Sequence, residues 1–186
     1  MDNQLHNGDF LIADPSILGD LSFHRAIVLI CAIKDKAPMG FIFNKTYDFC
    51  LNEMVPEVTI NLPLFYGGPV DTDQLFFVYN ATQPIVEDSR LIKEQLYLGG
   101  NIEQAFEAVE NKRLHSENCR FFLGYSGWSK GQLEQEVELE SWLIQKSTRY
   151  KQLFSSNPED LWRNAMLKKG GKYTIWANAP DNPTYN

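Results

Sequence analysis

The chain has 186 residues, of which 44% are hydrophobic and 22% charged, and its formal net charge is −7. These values are typical of one globular domain, and we expect residues 1–186 to form it. The acidic balance argues against nucleic-acid binding, because non-specific affinity for nucleic acid comes from Lys and Arg side chains that neutralise phosphates. No apolar run approaches the ~20 residues of a membrane helix, and the polar N-terminus lacks the features of a signal peptide.

The cysteines and histidines number three each. The cysteines are odd in number and form no C-x-x-C motif, so a disulfide framework is not expected. No Cys and His cluster has the spacing of metal ligands, and no glycine loop matches a nucleotide-binding motif. We therefore expect a cytoplasmic protein without a metal site, a cofactor or a membrane partner.

Short apolar runs predict strands throughout the first half of the chain. Ala26–Ile33 is continuously apolar, which is typical of a strand buried on both faces, and Met39–Asn44 is its expected hairpin partner. Cys50–Val55 is predicted to form a short helix, ended by Pro56. The other strands predicted in this half are Phe10–Ala13, Leu64–Tyr66 and Gln74–Tyr79.

The second half alternates strands with three helices. Asn101 with Gln104 and Ser129 with Gln132 are capping boxes that open two of them, the second running to about Leu139. Asn157-Pro158 starts the third, which ends at Gly170. The predicted strands are Leu96–Gly100, Arg120–Tyr125, Trp142–Gln145 and Tyr173–Ala177. Without a regular βαβ rhythm, this order favours an α+β fold with a mixed sheet.

Two glycine-rich junctions that follow strands are the most distinctive features of the sequence. Two such turns suggest two backbones brought close together around a shared groove. Aromatic side chains beside the second junction would anchor a partner if they were exposed, because aromatics dominate interface hot spots. The predicted binding surface comprises Gly67, Gly68, Pro69, Gly124, Tyr125, Ser126, Gly127, Trp128 and Gln132.

Catalytic features are weak. Gly124-Tyr125-Ser126-Gly127 departs from the G-x-S-x-G nucleophile motif, because Trp128 stands where the second glycine belongs. A catalytic Ser126 would also need a base within hydrogen-bond reach. We therefore expect no catalytic residues, and we interpret Cys31 as an inert core thiol. The four alternating glutamates that follow, Glu134, Glu136, Glu138 and Glu140, are interpreted as a solvated helix surface.

The chain resembles the AlgH/YqgE family of bacterial proteins. The resemblance rests on Gly8–Pro15, Phe23–Ile30, Gly40–Asn44, Gly67–Val70 and above all Phe122–Glu134. It implies one α+β domain, with a bent mixed sheet folded toward a pseudo-barrel and helices packed around it. Family members are called transcriptional regulators, although they carry no recognised DNA-binding motif, and the resemblance implies no established reaction.

Three functional hypotheses follow. The first is a non-enzymatic regulatory protein that binds a partner protein or a small ligand at the two glycine junctions. The second is an enzyme acting on a small or acyl substrate in a groove between Gly67–Pro69 and Gly124–Gln132. The third is a DNA-binding transcriptional regulator, which would require a concentrated basic face despite the net charge.

Overall fold

The computed structural model describes residues 4–17, 20–35, 37–146 and 150–180, which form ten strands and six helices. The strands are β1 (Phe10–Ala13), β2 (Ile27–Lys34), β3 (Ala37–Ile42), β4 (Thr46–Cys50), β5 (Pro63–Tyr66), β6 (Val70–Asn80), β7 (Arg90–Lys93), β8 (Leu96–Leu98), β9 (Cys119–Gly127) and β10 (Trp142–Gln145). The helices are α1 (Leu51–Met54), α2 (Ile102–Glu110), α3 (Gln132–Glu138), α4 (Tyr150–Ser155), α5 (Pro158–Lys169) and α6 (Lys172–Ala177).

The strands form one mixed sheet in the order β10-β1-β2-β3-β9-β6-β8-β7, with antiparallel neighbours along this path. A branch leaves the path at β9, where β5 pairs in parallel and β4 pairs with β5. The α+β fold with a mixed sheet, expected from the sequence, is confirmed. The sheet bends toward a barrel without closing, because β10 and β7 end the path without pairing with each other.

Successive residues of each strand alternate between the two faces of the sheet, as the period of two requires. The inner face forms a core closed by α4 and α5, while α2 covers one region of the outer face and α3 covers another. On β9, for example, Phe122 belongs to the inner core and Phe121 to the outer one under α2. Residues contributed to the inner core include Phe10, Leu29, Phe41, Phe43, Val78, Phe122, Phe154 and Trp162.

Local capping explains where the longer helices begin. The Asn101 side chain accepts a hydrogen bond from the Gln104 N–H at 3.0 Å, which caps α2. Asn157 caps α5 in the same way, and the helix ends at Gly170, as expected. The predicted cap of α3 is different, because Gly131 with φ of 80° precedes the helix and the Ser129 hydroxyl does not cap it.

The closing strand predicted over Tyr173–Ala177 is wrong, because this segment lies within helix α6. Gly170 and Gly171 have φ of 74° and 57°, and they turn the chain back onto α5. There Ala177 is buried, and its carbonyl oxygen accepts a hydrogen bond from Arg163 at 3.2 Å. The aromatic and β-branched residues favour a strand only weakly over so short a segment, and the packing against α5 overrides this preference.

A fully buried carboxylate links regions near the two ends of the strand order. Asp9, just before β1, accepts a hydrogen bond at 2.8 Å from Lys146, which follows β10. The ammonium group of Lys93, at the end of β7, lies 3.8 Å from the other Asp9 oxygen. Asp9 also accepts the His6 backbone N–H at 2.8 Å. The bend of the sheet is therefore held by an electrostatic contact where no strand ladder forms.

We expect Asp9→Asn to lower the free energy of unfolding by about 2 kcal/mol, since both lysines lose a buried counter-charge but remain partly solvated. The midpoint temperature of thermal unfolding should fall by roughly 4–8 °C for a chain of this size. Hydrogen exchange should accelerate at the ends of β7 and β10 together. Asp14→Asn is the matched control, because Asp14 accepts one local backbone N–H that Asn can also receive. Equal effects of the two variants would contradict the role given to Asp9.

Candidate functional site

The first glycine junction lies against the second. The Gly67 N–H donates to the Leu123 carbonyl oxygen at 2.9 Å, and the Gly67 carbonyl oxygen accepts the Ile42 N–H at 2.8 Å. Gly67 therefore lies between β3 and β9. A Cβ atom at this position would stand 2.1 Å from the Gly124 carbonyl oxygen. No side chain fits there, so glycine is required by the close approach of the two backbones.

Neighbouring residues share this constraint. Gly68 has φ of 149°, and a Cβ there would lie 2.4 Å from the Tyr125 carbonyl oxygen. Ser126 is fully buried, and its hydroxyl donates to the Gly67 carbonyl oxygen at 3.0 Å. Pro69 and Gly127 are exposed at the ends of the contact. The structure thus brings the two predicted junctions together, and their contact is a tightly packed backbone crossing.

We expect Gly67→Ala to destabilise the fold by about 3 kcal/mol or more, because the added methyl group meets backbone atoms that cannot move aside. Gly131→Ala is the control, because its added Cβ meets nothing within 4 Å and it carries only the strain of its own positive φ, of 80°, which Gly67 does not have. Chemical denaturation of both variants measures the difference. A loss no greater for Gly67→Ala than for Gly131→Ala would show that the crossing tolerates a side chain.

The two aromatic residues of the second junction are not exposed anchors. Tyr125 is half-buried, and its ring packs edge-on against Phe76 with centroids 5.8 Å apart. Trp128 is only 5% exposed, and it packs against Phe23 and Trp142. Their side chains build the wall behind the surface, so a partner of this segment would contact neighbouring residues first.

Glu136 on α3 joins the two tryptophans. Its Oε2 atom accepts the indole N–H of Trp128 at 2.9 Å and that of Trp142 at 2.8 Å. Its Oε1 atom accepts a hydrogen bond from the Gln132 side chain at 2.9 Å. The sequence interpretation of this helix as a uniformly solvated acidic surface is therefore wrong for Glu136. Its spacing from Trp128 and Trp142 in the sequence gave no signal of this contact.

We expect Glu136→Ala to lower the free energy of unfolding by about 2 kcal/mol, because two indole N–H groups lose a charged acceptor in a partly buried place. Tryptophan fluorescence should shift to longer wavelength as α3 loosens. Glu107→Ala on α2 is the control, since Glu107 is an exposed acidic residue in the interior of a helix. Identical stability of the two variants would contradict the bridging role.

An open groove lies alongside α3, just beyond this bridge. Its volume is about 470 Å³, which falls in the range of small-molecule and peptide pockets. The backbone N–H of Trp128 donates to the Pro38 carbonyl oxygen at 3.0 Å, and this hydrogen bond holds the β2–β3 hairpin beside α3. We call this surface the α3 groove. It is lined by Leu5, Ile33, Pro38, Leu133, Val137 and Ile144, with Gln4, Glu134 and Glu138 as its polar members.

A second cavity, of about 400 Å³, lies beside the buried side chain of Arg120. The guanidinium group donates to the carbonyl oxygens of Phe43, Leu153 and Ser156, and it lies 4.1 Å from the ring centroid of Phe43. No described carboxylate forms an ion pair with it, and burial lowers the pKa of Arg120 to about 9. These contacts give Arg120 a structural role: it ties the end of α4 to the sheet.

Groups with chemical reactivity are sparse at the crossing. Within the described ranges, no histidine or carboxylate forms a hydrogen bond with Ser126, whose hydroxyl is committed to Gly67. Burial raises the pKa of the Cys31 thiol well above its usual range, as expected for an inert core cysteine. In the part of the chain that the structure describes, no three His, Cys, Asp or Glu side chains converge to hold a metal ion.

The fold and this surface define an α+β protein with a bent mixed sheet, a glycine crossing and an apolar groove alongside α3. The AlgH-like family model matches residues 10–174, and the chain belongs to that family. A UPF0301 protein of Cytophaga hutchinsonii is 40% identical over 98% of this chain and 100% of its own. A UPF0301 protein of Chlorobium phaeobacteroides is 36% identical over 98% and 97%, respectively.

Two solved structures share the fold. Protein DIP2367 from Corynebacterium diphtheriae superposes with a TM-score of 0.77 and 23% identity, over 95% of this chain and 94% of that one. The solution structure of the AlgH protein from Pseudomonas aeruginosa gives a TM-score of 0.70 and 22% identity, over 94% of each chain. Among the described residues, no helix has the length and apolar composition to cross a membrane.

Proposed function

We propose that this protein is a non-enzymatic regulatory protein of the cytoplasm that acts by binding a partner. The binding surface is the α3 groove together with the exposed edge of the Gly124–Gln132 segment. The observation that carries this proposal is an open apolar groove of about 470 Å³ alongside α3, the helix that follows the second glycine junction. Apolar surface of this kind is typical of binding sites, since it gains most from being covered.

The side chains at the crossing favour binding over catalysis. A serine enzyme needs a nucleophile that a base can reach, and the Ser126 hydroxyl is fully buried and already donates to a backbone carbonyl oxygen. The α3 groove contains carboxylates but no histidine, lysine or cysteine among its described lining residues. Its acidic rim also disfavours DNA at this surface, because phosphates would be repelled.

The partner-binding role predicts that polar substitution inside the groove removes binding without unfolding the protein. Val137 is half-buried and lines the groove, so Val137→Gln keeps helix propensity and takes away apolar surface. Leu139→Gln is the matched control, because Leu139 directly follows α3, is 78% exposed and lies outside the groove.

The measurement is chemical cross-linking in source cells, followed by quantitative capture with all three forms and reconstitution from purified components. We expect one partner that the original chain and Leu139→Gln retain and that Val137→Gln loses by roughly tenfold or more. Circular dichroism establishes that each variant is folded. A reconstituted partner that Val137→Gln binds as well as the original chain would place the binding surface elsewhere.

A further inference from the structure

We propose that the α3 groove receives a basic amphipathic helix of a partner protein. Apolar side chains of that helix fill the groove, and its Lys or Arg side chains pair with Glu134 and Glu138. This inference rests on the proposed function, because it names the chemical class of the partner for the same surface.

The charges at the groove carry the argument. The described residues that line it include two charged side chains, Glu134 and Glu138, and both are carboxylates. Both are exposed, and neither forms an ion pair or a side-chain hydrogen bond within the described ranges. Glu136, which lies between them in sequence, is occupied by the two indoles on another side of the helix. A bound cation would therefore gain two carboxylates without displacing an internal partner.

The spacing of these carboxylates fits a helical partner. Glu134 and Glu138 are four residues apart on α3, so they lie one turn apart on the same face. Basic side chains four residues apart on a partner helix are also one turn apart, so each can pair with one of the two carboxylates. A ligand with one positive charge would neutralise one of the two carboxylates and leave the other beside apolar surface.

The groove wall supplies the apolar half of the interaction. Leu133 and Val137 are also one turn apart, and they face the groove together with Ile33 from β2 and Ile144 from β10. Helices that bind in grooves insert apolar residues at positions i, i+3 or i+4 and i+7, with polar residues along the edge. The apolar floor of the groove matches the apolar face of such a helix, and the acidic rim matches its edge residues when these are basic.

The test uses two labelled synthetic peptides of equal length and identical apolar pattern, one with Lys and one with Glu at every polar position. Binding to the whole chain is followed by fluorescence anisotropy. We expect the Lys peptide to bind and the Glu peptide not to bind. The double variant Glu134→Gln/Glu138→Gln should lower the affinity for the Lys peptide by roughly tenfold and reduce the salt dependence of its binding.

The double variant Glu103→Gln/Glu107→Gln on α2 is the matched control. These residues have the same spacing on an exposed helix surface and lie outside the groove, so we expect unchanged affinity. An equal loss in this control would mean that the peptide responds to the net charge of the chain, and the inference would be overturned. Failure of the Lys peptide to bind at millimolar concentration would also overturn it.

One result separates this inference from the proposed function. If Val137→Gln lowers the affinity for the Lys peptide while Glu134→Gln/Glu138→Gln does not, the groove binds the peptide through apolar contact alone. The basic character of the partner is then wrong, and the binding role of the groove stands. If the two carboxylates matter and Val137→Gln has no effect, the helix lies on the acidic surface outside the groove, which contradicts the docking geometry.

Discussion

The close approach of two backbones at Gly67 and Gly124 is the constraint on which the surrounding structure depends. Gly67 forms hydrogen bonds to β3 on one side and β9 on the other. This crossing allows β5 to join the sheet in parallel with β9 while β6 leaves on the opposite side. A side chain at either glycine would push these strands apart, since the facing atoms belong to the backbone.

The crossing also determines where the α3 groove lies. β9 ends at Gly127, and the next residue is held to the β2–β3 hairpin by its backbone N–H. The chain can then turn at Gly131 and lay α3 over the outer face of the sheet, where Leu133 is buried. The groove is the space that remains between this helix, the hairpin and β10. Its position is therefore fixed by packed elements, while its charged residues, Glu134 and Glu138, are exposed to solvent.

One short helix uses its acidic residues in two different ways. Glu136 exchanges hydration for three hydrogen bonds from Trp128, Trp142 and Gln132, which fastens the helix to the sheet. Glu134 and Glu138 stay in solvent beside the apolar floor. Because residues four apart share a helix face, this division follows from the helical period once the inward face is known.

Much of the fold could be predicted from the sequence, because its signals are local. Continuous apolar runs located β1 and β2, and the cap at Asn157 located α5. Strands β4 and β7 were missed, since they are only five and four residues long and mix polar with apolar residues, so no continuous apolar run marks them. The segment Lys172–Ala177 was misjudged because its conformation depends on packing against α5.

The candidate site was harder to predict for a physical reason. The glycine junctions were recognised as a close approach, but a sequence does not show whether a close approach leaves an open groove or fills it. Glu136 contacts residues eight positions before it and six after it, and this contact exists only because a turn and a strand end bring both indoles to one helix. Such partners have no spacing that a helix or strand period would reveal.

Two of the stretches that carry the family resemblance, Gly67–Val70 and Phe122–Glu134, contain the residues that build the crossing. Gly67, Gly124, Ser126 and Trp128 are buried, and their contacts are with the chain itself. These buried residues therefore specify a scaffold, and a partner would meet the exposed side chains around them. Val137 and Glu138 lie beyond the second stretch, whereas Glu134 is its last residue and is itself exposed beside the groove. The fold of this chain thus depends on the glycines of the crossing, because their neighbours are backbone atoms, whereas the charge that a partner would meet is carried by the exposed rim of the groove.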